Sequence, residues 1–104
     1  MAINRLEVLK SMVGQNPADS FSRYGLAMEY VNGGDLAAAV EQFNALLAHN
    51  PKYGAGYFHG GQTLEKLGRI EEAKALYRQG IEVTGSTGDA HTQSELQAAL
   101  SALD

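Results

Sequence analysis

The chain contains two prolines, Pro17 and Pro51, and they stand 34 residues apart. Proline has no N–H to donate and pushes the residue before it out of the helical region, so each one stops a helix. One more step of 34 lands on Gly85, which reads as a third stop. A second set of breaks falls at half that period, at Asn32-Gly33-Gly34-Asp35 and at Leu67-Gly68-Arg69. Glycine just past a helix supplies the left-handed cap conformation. Each 34-residue unit therefore reads as helix, tight turn, helix. Asp35 is a good N-cap for the helix it precedes, whereas Arg69 at the matching place lacks the short acceptor side chain.

Helical periodicity supports this division. In Leu36 to His49 the apolar residues Leu36, Ala39, Val40, Phe43, Leu46 and Leu47 recur at i, i+3, i+4, i+7, one face of a helix. In Ile70 to Val83 the same face carries Ile70, Ala73, Leu76, Tyr77 and Ile81. Ile3, Leu6, Leu9, Met12 and Val13 form an amphipathic helix before Pro17, and Leu96, Ala99, Leu100 and Leu103 form one after Gly88. Six helices and no strand are expected. At 104 residues, 44% hydrophobic and 19% charged, the chain has an ordinary globular composition and the length of one domain. Its expected parts are an N-terminal helix over 1–16, units over 17–50 and 51–84, and a C-terminal capping helix over 88–104.

A period of 34 with two helices per unit resembles the tetratricopeptide repeat, whose pattern runs W-x2-L-G-x2-Y, then A-x3-F, then P. The first unit answers with Leu26-Ala27, Tyr30, Ala39, Phe43 and Pro51, but has Arg23 at the tryptophan place. Tyr57, Gly61, Ala73 and Tyr77 answer in the second, which has Gly60, Leu64 and Gly85 at the leucine, tyrosine and proline places. The resemblance covers Ile3 to about Gly85. It implies an all-α, right-handed superhelical array of antiparallel helix pairs, with two repeat units and one flanking helix at each end. Small residues at Ala27 and Ala39, and at Gly61 and Ala73, would let paired helices approach closely at their crossing.

Four glycines, Gly54, Gly56, Gly60 and Gly61, crowd one predicted helix. Each costs about 0.5–1 kcal/mol relative to alanine in a helix interior. That helix is expected to be the softest unless close packing requires them. The tripeptide Gly60-Gly61-Gln62 also looks like the one used by class I release factors, but within a helix of an acidic chain it reads as coincidence.

The most informative segment is the first helix of the first unit. Phe21, Tyr24, Met28 and Val31 form a second apolar stripe on a different face from Leu26, Ala27 and Tyr30. By resemblance to the repeat family the stripe points into a concave groove, with Ala55, Phe58, Gln62 and Glu65 as its counterparts in the next unit. The expected peptide groove is thus Phe21, Tyr24, Met28, Val31, Phe58 and Gln62. Apolar patches of this kind mark interaction surfaces. Serine at both Tyr24 and Met28 would then spare the fold and abolish association. Family members that clamp a peptide carboxylate place Lys and Asn where this chain has Tyr24 and Met28, then Phe58 and Gln62. An apolar or aromatic ligand is therefore expected.

Chemistry finds little purchase elsewhere. His49, His59 and His91 are scattered and belong to no metal-binding or catalytic motif, and there is no cysteine. No catalytic residue, metal or cofactor is expected. A formal net charge of −4 opposes a nucleic-acid partner. No apolar run approaches the ~18 residues needed to span a bilayer. The expectation is a cytoplasmic, non-catalytic protein–protein interaction module for a protein or peptide. The alternative is a structural homo-oligomer formed through the same apolar surface or the C-terminal helix.

Overall fold

Backbone hydrogen bonds repeat with the period of the sequence. In the computed structural model, which describes residues 4–104, Asn16 N donates to Met12 O and Asn50 N to Leu46 O, at 3.0 and 2.8 Å. Asp19 N then returns to Asn16 O and Tyr53 N to Asn50 O, closing the same turn around Pro17 and Pro51. Half a period later, Asp35 N reaches Tyr30 O and Arg69 N reaches Leu64 O, at 3.0 and 2.9 Å. Gly34 and Gly68 take φ of 83° and 77° to make those turns, a conformation that side-chain-bearing residues rarely adopt.

These turns delimit α1 (Arg5–Gln15), α2 (Ser20–Asn32), α3 (Leu36–His49), α4 (Gly54–Lys66), α5 (Ile70–Thr87) and α6 (Ala90–Ser101). Each helix packs on the next in an array of antiparallel pairs, and α4 also touches α6. The described residues contain six helices and no strand. The shape is elongated, 46 × 28 × 19 Å.

The caps behave as their chemistry requires. Asp35 accepts from Ala38 N at 3.2 Å and Asp89 from Thr92 N at 3.2 Å. Arg69 makes no such bond; its guanidinium instead grips Glu72 in the first turn of α5 at 2.6 and 2.7 Å. Gly85 does not stop α5. Without a proline ring nothing obstructs the helix there, so it continues to Thr87, and Gly88, with φ 79°, ends it.

The core has two centres. Ala27, Ala39, Phe43 and Leu46 form one, and Val40, Tyr57, Leu64, Ala73, Tyr77 and Leu96 the other. The side chain at the tryptophan place ties down the proline turn in both units. Arg23 Nη2 donates to Pro17 O at 2.9 Å, and Tyr57 Oη donates to Pro51 O at 2.6 Å. Arg23 also donates to Gln42 on α3, so a polar residue bridges the helix pair where the repeat pattern has an indole.

The ends differ. Leu96 of α6 is completely buried. On α1, Val13 is buried and Leu6 and Leu9 are half-buried, but Met12, expected on the apolar face, is 42% exposed and Val8 beside it 47%. The reason is geometric: α1 packs against α2, and only part of its stripe meets that helix. Ile3 lies outside the described residues.

Candidate interaction groove

The stripe on α2 and its counterpart on α4 follow from the 34-residue repeat, which sets equivalent helices side by side. Where their C-terminal halves meet, Met28, Val31 and Asn32 face His59, Gln62, Thr63 and Lys66 across a depression of about 240 Å³. Three of the expected groove residues, Met28, Val31 and Gln62, line it directly.

Tyr24 lies one turn toward the N-terminus of α2. Its ring sits 5.8 Å from that of His59 and 5.5 Å from that of Tyr53, and meets Phe43 edge-on at 6.5 Å. Phe58 packs against the second core centre and stands edge-on to His59 at 5.2 Å. Phe21, in the first turn of α2, does not line the depression and is 76% exposed. Tyr24, Met28 and Val31 are neither solvated nor fully covered; they are half-buried and pack on the first core centre. Gln62 is exposed.

Sequence reasoning passed over His59, Tyr53 and Lys66. His59 was one of three scattered histidines, yet it sits between the rings of Tyr24 and Phe58, where edge-to-face aromatic contacts are favoured. The available signal was its position next to Phe58 and three residues before Gln62. Burial depresses the basicity of the imidazole below its ordinary value. Lys66 acts in the same sense, while Glu95 of α6 and a hydrogen bond with Gln62 oppose them. Burial also raises Tyr24, helped by the neighbouring Tyr53.

Two further depressions lie elsewhere. One of about 450 Å³ is bordered by Pro51 and Lys52 of the turn before α4 and by Gln79, Glu82, Val83, Ser86 and Thr87 of α5. Another, about 250 Å³, lies between α3 and α5. Neither has an aromatic side chain in its wall. The depression between α2 and α4 sets the apolar Met28 and Val31 beside the imidazole of His59 and the polar Gln62 and Lys66, apolar anchors with convergent polar groups as in many binding sites. Among the described residues, no three metal-ligating side chains converge. Among the described residues no helix is long and apolar enough to cross a membrane.

Comparison with known proteins agrees with this geometry. The tetratricopeptide repeat family profile matches residues 55–87. A tetratricopeptide repeat domain protein from Salinibacter ruber is 36% identical; the match covers 86% of this chain and 90% of that one, with a TM-score of 0.81. A TPR repeat-containing protein of Pseudomonas aeruginosa is 27% identical over 99 residues, covering 95% of this chain and 94% of its own. The type III secretion translocator chaperone SycD of Yersinia enterocolitica shares the fold with a TM-score of 0.87 at 17% identity, over 94% of this chain and 68% of that one.

Proposed function

Because the chain belongs to the tetratricopeptide repeat family, we propose that it is a non-catalytic interaction module holding an apolar or aromatic protein segment in the groove between α2 and α4. In this reading the units are 17–50 and 51–84, with α1 and α6 flanking them. Repeat arrays of this sort expose an extended concave face and use it for binding. One protein of the same fold is a chaperone of a secretion translocator, which fits a module that holds another protein's segment. The observation that carries the reading is the depression where Met28 and Val31 meet His59 and Gln62, with the exposed ring of Phe21 on the same helix face.

Selection of displayed random peptides against the full chain tests this. The expected outcome is enrichment of aromatic and large aliphatic residues, with binding weakened at least ~10-fold by Phe21→Ser or Gln62→Glu, as for a hot-spot contact. Both residues are exposed, so thermal melts of these variants should match the parent. Selection of acidic C-terminal peptides, or binding indifferent to both substitutions, would place the binding surface elsewhere.

A further inference from the structure

The stripe on α2 has a property that a groove for an arbitrary peptide does not need. Its members, Phe21, Tyr24, Met28 and Val31, are spaced three, four and three residues apart, so the spacing reads the same in both directions. Aromatic rings occupy the first half and aliphatic side chains the second. Turned about a two-fold axis near Leu26, an antiparallel copy sets Phe21 against Val31 and Tyr24 against Met28, twice each. An isologous interface requires this kind of self-complementarity.

Charge completes the match. Asp19, just before α2, uses a carboxylate oxygen to accept from Ser22 Oγ at 2.5 Å. At the opposite end of the stripe Lys66 borders the depression beside Asn32, and it makes no ion pair among the described residues. The antiparallel register that seats Phe21 over Val31 sets Asp19, two residues further out, opposite Gly33, at the end of the groove that Asn32 and Lys66 border. The contact again occurs twice. Glu29, the acidic residue within α2, is engaged by Arg5 of α1 at 3.5 Å. The C-terminal end offers no comparable surface: the exposed side of α6 carries His91, Ser94, Glu95, Gln97 and Ser101.

We propose that the segment held in the groove is α2 of a second copy of this chain, paired antiparallel through Phe21 on Val31, Tyr24 on Met28 and Asp19 on Lys66. This rests on the reading of the groove as a binding surface and names its occupant.

Sedimentation velocity of the full chain, from low micromolar to millimolar concentration, is the test. The expected result is a reversible monomer–dimer equilibrium weakened at least ~10-fold by Phe21→Ser. Asp19→Lys should weaken it as well, and adding Lys66→Glu to that variant should restore it, because the charges then exchange ends. In a dimer of mixed isotope labelling, nuclear Overhauser contacts between the Phe21 ring of one copy and the Val31 methyls of the other are expected. A monomer at every concentration overturns the proposal. If that monomer still binds the selected peptides the groove stands and only its occupant is wrong; if it binds none, the groove reading falls too. A dimer indifferent to Phe21→Ser, or a charge exchange that fails to restore association, also overturns it.

Discussion

α2 and α4 are each 13 residues long, begin 34 residues apart and occupy equivalent places in the array, yet they solve the packing problem in opposite ways. On α4, a Cβ at Gly56 would stand 2.9 Å from Leu47 of α3, and one at Gly60 would stand 3.0 Å from Leu76 of α5. At Gly61 it would fall 2.6 Å from Cζ of the buried Tyr77 ring. α4 is enclosed by α3, α5 and α6, and its glycines let large side chains of those neighbours reach its backbone. On α2 the place of Gly61 is taken by Ala27, and bulk is carried outward on the stripe. Glycine content therefore marks closeness of approach here, not softness. The helix with neighbours on several sides makes room for them, and the helix with an open face keeps side chains to offer.

The sharpest way to break this comparison is to exchange the small residues at the equivalent place. Gly61→Ala should destabilise by about 2–3 kcal/mol, since the Tyr77 ring is fully buried and cannot yield. Ala27→Gly should cost only about 1 kcal/mol, chiefly in helix propensity. Ala39→Leu and Ala73→Leu, both at completely buried positions across the two crossings, should each cost about 1–3 kcal/mol by overpacking. Urea melts measure all four. A Gly61→Ala protein as stable as the parent would mean that α4 and α5 do not approach as described.

Next comes the stripe itself. Tyr24→Ser together with Met28→Ser should cost about 1–2 kcal/mol, because both side chains are half-buried against Phe43 and its neighbours and full burial of one such group is worth about 1.5–3 kcal/mol. The corresponding pair on α4, Phe58→Ser with Gln62→Ser, should cost less, since Gln62 is already exposed. Equal losses in the two pairs would erase the distinction between the helices. On sequence alone the α2 substitution promised to spare the fold; half-burial makes it a mixed probe of stability and binding.

Much of the architecture was legible because it rests on backbone chemistry that residue identity controls locally. Pro17, Pro51, Gly34 and Gly68 each impose one turn, and the turns recur with one hydrogen-bond pattern. Gly85 misled because a glycine permits a helix stop without enforcing one, and α5 continued to the glycine that took the left-handed conformation. The groove was legible as a stripe but not as a depth. Whether Tyr24 is solvated depends on Tyr53 and His59, which come from a different unit and leave no mark on the periodicity of α2. For the same reason the nearness of Phe58 and Gln62 could flag His59 but not place it. Its environment is made by Tyr24 across the groove and Glu95 on α6, residues 35 positions before and 36 after it in the chain.

His59 also gives the comparison a pH dependence that only the α4 side of the groove should show. Its folded-state basicity lies below the ordinary value, mainly through burial. Protonation thus favours the unfolded chain. The stabilising contribution is fully present above the unfolded pKa of about 6.5 and is lost as pH falls from there toward the folded value, at no more than about 1.4 kcal/mol per pH unit. The carboxylates Glu72 and Asp89, held below their ordinary range by hydrogen bonds from Arg69 and Thr92, lose their contribution in more acidic solution and do not confuse this window. Melts between neutral pH and pH ~5 should show a decline. His59→Gln should flatten it. A slope that persists in the His59 variant would show that the imidazole is solvated.

The smallest expected change is in stability at Phe21, and its smallness is the point. The equivalent place on α4 is Ala55, which is half-buried, whereas Phe21 leaves 76% of its surface in water. An aromatic side chain so exposed contributes little to folding of the isolated chain, so Phe21→Ser should shift stability by less than about 0.5 kcal/mol, the range of ordinary surface substitutions. Serine also carries no large ring to order, so the sign of that shift is not fixed by packing. Measured at low concentration, where the chain is monomeric, the melts of parent and variant should coincide. At high concentration the parent alone should gain melting temperature, because anything that binds only the folded state stabilises it by mass action. A variant that loses more than 1 kcal/mol at low concentration would instead place Phe21 in the core, and α2 would then resemble α4 in having no side chain to spare.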